Sequence, residues 1–214
     1  MSELWGEKIP GGYFDEVKHL YRSERGVIVP SVTQIFTILG MSDFSMISPE
    51  VLEWKRQYGT AVHRAIELLV NNDLDWDTLN DAIIAPVAGL EQALRKLEFK
   101  GTATEEKKVV TLYGMEYGCT LDLKGEITHK GKRQNAIIDI KTGAREDVSW
   151  RWQLAAYALA QEVKTGWLGI VLKVDKDGDI KPFYYDLLPA GREFQILLSA
   201  AILKINNGLA KIGG

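Results

Sequence analysis

Apolar residues recur along this chain with two periods, every three to four positions in some stretches and every second position in others. Helical spacing begins after Pro30. Ser31 suits an N-cap, Ile35, Ile38 and Leu39 supply an apolar face, and Gly40 suits the position just past the helix end. Ser48-Pro49-Glu50 opens a longer helix with a cap, a proline at the first helical position and an acid in the first turn. Leu52, Val62, Ile66, Leu69 and Val70 carry that pattern to about Val70, and Gly59 inside it marks a kink or a close backbone approach. A polar turn over 73–80 leads to a second amphipathic helix over 82–99. The stretch from Thr102 to Ile127 reads as a hairpin, with arms over 102–113 and 116–127 and a turn near Gly114. A short, β-branched strand runs from Ala136 to Thr142 and ends at Gly143. A helix over 146–162, a second hairpin over 166–174 and 181–188, and a closing amphipathic helix over 193–209 complete the pattern. The turn Asp175–Asp179 looks like the start of a calcium loop, but the acid required downstream is missing, so it reads as a plain turn. Residues 1–29 show no clear element, and the chain contains no repeat.

The predicted order is helices, three strands, a helix, two strands and a helix. It implies an α/β protein with a mixed β-sheet flanked by helices. A length of 214 residues fits a single domain over 1–214, with 1–100 a mainly helical lobe and 101–214 the sheet core. Apolar residues make up 46% and charged residues 26%, ordinary values for a globular protein, and no run reaches the length of a membrane span. Met1 to Lys8 carries acids and a tryptophan, unlike a secretory signal, so a cytoplasmic location is expected. The lone Cys119 excludes an internal disulfide and a four-cysteine cluster within one chain. The net charge of −3 is not that of a protein coating nucleic acid non-specifically. Any such contact needs a local basic groove, for which Lys18, His19, Arg22 and Arg25 are candidates, although a solvated face is the commoner reading of such a run.

Chemistry concentrates on the strand Ala136–Thr142. Side chains alternate along a strand, so Asp139 and Lys141 share one face and Ile138 and Ile140 the other. A carboxylate and an ammonium on an apolar strand are costly unless something holds them. A divalent metal on Asp139, with Lys141 facing an anionic substrate, would do so. Taken alone, Asp-x-Lys more often describes a structural ion pair. Three further segments change that estimate: Gly59-Thr60-Ala61-Val62-His63, Gly118-Cys119-Thr120-Leu121-Asp122 and Gln153-Leu154-Ala155-Ala156-Tyr157.

In this order, from about Pro30 to Tyr157, the four segments resemble the PD-(D/E)XK nuclease superfamily, and within it the RecB-like exonuclease branch that includes phage exonucleases. The resemblance implies a restriction-endonuclease-like sheet with an N-terminal helical lobe. It also implies a metal-dependent DNA exonuclease using Mg²⁺ or Mn²⁺. Asp122 and Asp139 match the two acids and Lys141 the lysine of the motif. His63 matches the histidine placed at the metal, with Glu67 one helical turn on. An acid on the first hairpin arm completes the set. Glu105 and Glu106 compete for that role, and spacing to Val109-Val110 favours Glu106. The implied metal ligands are therefore His63, Glu106, Asp122, Asp139 and the Ile140 carbonyl. Gln153 and Tyr157 match the Gln-x-x-x-Tyr feature that faces DNA, and Ser31 and Thr33 match a helix start near the DNA backbone.

DNA with a free end is the implied substrate. The resemblance also admits a single-strand annealing protein as partner, a homo-oligomer, and a role in phage or bacterial recombination and repair. Two readings compete with the exonuclease: an endonuclease on the same fold, and a non-catalytic DNA-binding recombination module. Metal-dependent loss of strand, absent in Asp139→Ala, separates enzyme from binder.

Overall fold

A computed structural model describes residues 5–41, 48–142, 145–162 and 166–213. The chain begins with four short strands, β1 (Glu7–Ile9), β2 (Gly12–Asp15), β3 (Leu20–Ser23) and β4 (Ile28–Val29). They pair in sequence order as an antiparallel meander. The sequence pattern predicts no element there, because strands of two to four residues are too short to display an alternation. The first hundred residues are thus a β-meander followed by helices.

Helix α1 (Val32–Ile38) starts at Ser31 with a reciprocal capping box, in which the Ser31 side chain accepts from the Gln34 backbone N–H and the Gln34 side chain accepts from Ser31 N–H. Helix α2 (Pro49–Val70) has its cap at Ser48 and its proline at the first turn, as expected. It runs unbroken through Gly59, where an added Cβ would stand 3.3 Å from Thr142 Oγ1. The glycine therefore permits a close approach to the sheet and makes no kink. Helix α3 (Asp81–Lys96) follows a short 3-10 turn.

The main sheet comprises β5 (Lys100–Leu112), β6 (Met115–His129), β7 (Lys132–Thr142), β8 (Leu168–Val174) and β9 (Ile180–Asp186), in that spatial order. β7 and β8 are parallel, joined across α4 (Ser149–Ala160), and the other neighbours are antiparallel. Two-residue turns at Tyr113-Gly114 and Lys130-Gly131, with positive φ at both positions, close the first two hairpins in the manner that matches strand twist. The Asp175 carboxylate accepts from the Asp177 and Asp179 amides, so the acidic turn is a self-bonded loop. The last helix, α5 (Leu187–Asn206), begins six residues before the apolar repeat suggested, with Asp186 capping the Leu188 amide. The expected strand end at Gly143 lies outside the described residues.

Two apolar layers cover the sheet. One face packs against α1, α4 and α5 through Ile35, Phe36, Trp150, Leu154, Phe194 and Leu198. The other packs against α2 and α3 through Val62, Ile66, Val87 and Leu90. The meander forms a smaller cluster of its own with Val109 of β5. It is tied to the sheet by Val109 N–H donating to the Pro10 carbonyl and Gly118 N–H to the Pro30 carbonyl. A mixed α/β sheet flanked by helices is the restriction-endonuclease-like architecture expected.

Candidate active site

The site forms where the sheet parts. β6 and β7 pair from His129↔Lys132 up to Leu123↔Ile138, and beyond that point β7 pairs only with β8. Along β6 the side-chain alternation changes phase at the same place. Tyr117, Cys119 and Leu121 face α4 and α5, whereas Leu123 and Ile127 face α2 and α3. Asp122 stands at the break. Its Oδ2 accepts the Ile140 backbone N–H at 2.7 Å, so the carboxylate replaces a missing ladder bond. In an extended residue N–H and C=O lie on the same side of the strand, so the Ile140 carbonyl shares the side of the amide that Asp122 accepts.

Across from Asp122, Glu105 lies within β5 with a left-handed φ of 47°. From the mid-helix face of α2, His63 places Nδ1 3.3 Å from Asp122 Oδ2 and 3.8 Å from Glu105 Oε1. Potential ligand atoms of His63, Glu105 and Asp122 all lie within 4.8 Å of one another. Glu105, not Glu106, is therefore the first-arm acid that the structure brings to the cluster. Glu106 points to the α4 side, where its carboxylate meets Lys108 at 2.9 Å and Lys124 at 3.0 Å and accepts from Gln161 Nε2 at 3.1 Å. The register supplies the reason: Thr104↔Leu123 and Glu106↔Leu121 leave Glu105 opposite Asp122. Of the two competing acids, the structure brings Glu105 to His63 and Asp122 and turns the favoured Glu106 away.

Asp139 is set deeper, with 1% of its surface exposed. Its Oδ2 lies 2.9 Å from Lys141 Nζ, yet that oxygen has no hydrogen-bond partner of proper angle among the described residues. Lys141 Nζ donates instead to Gln153 Oε1 at 2.9 Å, and Gln153 Nε2 donates to Tyr157 Oη at 2.6 Å. The i, i+4 pair on α4 thus locks the lysine in place. Glu67, one helical turn on from His63, is ion-paired with Arg64.

Burial and the close spacing of like and unlike charges set the electrostatics of this cluster. Burial, together with the neighbouring Asp122, pushes Asp139 up to about 6 against the pull of Lys141. Burial also opposes ionisation of Asp122, but His63, Lys141 and the Ile140 amide outweigh it and hold this carboxyl below its usual value. Burial disfavours charge on His63, yet Asp122, Glu105 and Asp139 overcome it and push the imidazole up to about 10. The clustered carboxylates draw in whatever positive charge is at hand. One imidazole and two carboxylates, with the buried Asp139 carboxylate near them, form a donor set that suits Mg²⁺ or Mn²⁺, and the imidazole favours Mn²⁺.

A cleft of about 600 Å³ opens onto the cluster. His63, Glu105, Asp122 and Tyr157 line it, as do the helix-start residues Ser31 and Thr33. The Ser31 hydroxyl is already used as a cap and lies 3.1 Å from Thr33 Oγ1. The meander supplies one wall through Glu16, His19 and Tyr21. Tyr21 fits because Gly118 lies beneath its ring, and a Cβ there would stand 2.0 Å from Tyr21 Cγ. The Tyr21 hydroxyl bonds to Thr120 Oγ1. No apolar repeat in residues 1–29 could have revealed this wall.

With fold and cluster together, the chain belongs to the PD-(D/E)XK nuclease superfamily, whose family model matches residues 38–198. Among solved structures, it is similar to SSO0001, at 20% identity and a TM-score of 0.33, over 56% of this chain and 57% of that one. It is also similar to a Eubacterium rectale protein described as "Putative exonuclease", at 15% identity and a TM-score of 0.42, over 83% and 74% of the two chains. Similarity at this level bears on neither mechanism nor substrate. No curated protein matches. No helix among the described residues is long and apolar enough to cross a membrane.

Proposed function

We propose that the protein is a metal-dependent DNA exonuclease, in which His63, Glu105, Asp122, Asp139 and the Ile140 carbonyl hold Mg²⁺ or Mn²⁺. The observation that carries this reading is the convergence of His63, Glu105 and Asp122 close to the buried Asp139 carboxylate, whose Oδ2 is ion-paired with Lys141. When bound, the cation supplies polarisation of the scissile phosphate and a lowered pKa for the attacking water. The chain's own groups do the rest. Lys141, fixed by Gln153, presents a positive charge where negative charge develops on the phosphate. Tyr157, at the cleft surface, holds the substrate strand, and Ser31 and Thr33 lie along the path of its backbone.

The exonuclease mode is supported by the Gln153–Tyr157 pair, the RecB-like feature, which is hydrogen-bonded to the Asp-x-Lys lysine. A cytoplasmic role in recombination or repair beside an annealing protein follows from the same resemblance. The test compares a covalently closed circle with the same DNA linearised, with Mn²⁺, Mg²⁺ or EDTA. Degradation of the linear form alone, dependent on metal, is expected. Cutting of the circle would replace the exonuclease with an endonuclease.

A further inference from the structure

We propose that Lys107 receives a backbone phosphate of the substrate strand, and that Glu16 of the β2–β3 turn occupies Lys107 until the strand arrives. The proposal rests on the nucleic-acid reading above and names a positioning residue and a self-blocking contact that lie apart from the metal cluster.

Lys107 and Glu16 both line the cleft that opens onto His63, Glu105 and Asp122. Lys107 stands two residues beyond Glu105 on β5, so it extends the acid cluster's own strand along the cleft. Its side chain is only 26% exposed, and its ammonium sits 5.2 Å from the centroid of the Phe14 ring. Phe14 is itself buried between β2 and the main sheet, so the cation is held in a defined place by a fixed aromatic face. The partner is different in kind. Glu16 Oε2 lies 3.7 Å from the ammonium, but the Glu16 side chain is 75% exposed on a turn. A contact of this length to a solvated carboxylate contributes little. A phosphate oxygen, carrying charge and accepting a short hydrogen bond, would displace it.

The other wall repeats the arrangement. Arg64 of α2 lines the same cleft and is paired with Glu67, a lining residue as well. An acidic chain that binds a polyanion gains from cations masked by carboxylates that can leave. The net charge of −3 then disfavours adventitious binding, while the cleft still offers positive charge to a threaded strand. Glu16 also lies outside residues 38–198 matched by the family model, so this contact is contributed by the meander.

The experiment measures binding of a fluorescein-labelled single-stranded oligonucleotide by anisotropy, in EDTA, from 50 to 200 mM salt, for wild type, Lys107→Met, Glu16→Gln and Lys8→Met. Lys8 belongs to a meander ion pair with Glu24 that does not line the cleft. Losing one phosphate contact on a single strand lowers the salt slope by about 0.7, so the drop in affinity across this fourfold salt range shrinks about 2.6-fold for Lys107→Met. Glu16→Gln should bind several-fold tighter than wild type, and Lys8→Met should match it. The proposal fails if Lys107→Met keeps the wild-type salt slope, or if Glu16→Gln binds no tighter. Cleavage is scored separately on wild type with Mn²⁺. A protein that shows these binding shifts but never cuts DNA would overturn the nuclease reading and leave the phosphate contact standing.

Discussion

Neutralising Asp139 should stabilise the metal-free protein while destroying its response to metal. The Asp139 carboxyl is 1% exposed and its pKa is raised from 3.8 to about 6. A raised carboxyl pKa means that the folded state binds the proton more tightly than the unfolded chain. Stability therefore falls as pH rises from about 4 through about 6, and the full penalty applies above that. Two units correspond to about 3 kcal/mol. Asp139→Asn removes the ionisation and keeps the shape. In EDTA at pH 7.5 the variant should be more stable by about 2–3 kcal/mol, or roughly 4–12 °C in Tm for a chain of this size. The advantage should shrink to little near pH 4, where both proteins are neutral at this position. Saturating Mn²⁺ reverses the order: at a hundredfold excess over Kd it adds about 2.7 kcal/mol to wild type and little to the variant. The assay is thermal and urea unfolding of both proteins, with and without Mn²⁺, across this pH range. A variant less stable than wild type in EDTA, or one that gains as much from Mn²⁺, would refute the reasoning.

Three further outcomes follow from the same geometry. Glu105→Gln should weaken Mn²⁺ binding severely, whereas Glu106→Gln should leave it intact and cost on the order of 1 kcal/mol of stability, because Lys108 and Lys124 lose their shared carboxylate; paired metal titrations and urea melts read both. His63, pushed up to about 10, holds a proton at neutral pH that must leave when the metal binds. Mn²⁺ affinity should therefore rise with pH and uptake should release close to one proton, seen by calorimetry in buffers of different ionisation enthalpy and absent in His63→Asn. Gly118→Ala forces a methyl into the Tyr21 ring and should cost about 1–3 kcal/mol, measured by urea unfolding.

The sequence reveals the main sheet and its helices because their apolar repeats are long. β5, β6 and β7 each run eleven residues or more, and the caps at Ser31 and Ser48 are read from local chemistry. The two- to four-residue strands of the meander offer no such repeat, so one wall of the cleft goes unseen. Spacing to Val109-Val110 favours Glu106 over Glu105, but the hairpin turn is the better signal. A two-residue turn at Tyr113-Gly114 pairs Leu112 with Met115, and counting back along both arms places Glu105 opposite Asp122. The parting of β6 from β7, which makes room for the cluster, has no sequence signature, because it depends on where two long strands cease to pair. Gln153 and Tyr157 were legible as an i, i+4 pair, but their bond to Lys141 required the α4 crossover to be placed.

The most direct test of the metal-centre claim is single-turnover cleavage of end-labelled linear DNA by wild type, Asp122→Asn and Lys141→Met, with Mn²⁺ or with EDTA. The cluster of His63, Glu105, Asp122 and Asp139 beside Lys141 predicts metal-dependent hydrolysis by wild type. It predicts loss of both metal binding and cleavage in Asp122→Asn. In Lys141→Met it predicts loss of cleavage with metal binding retained. Undiminished cleavage by Asp122→Asn, or equal cleavage in EDTA, would contradict it.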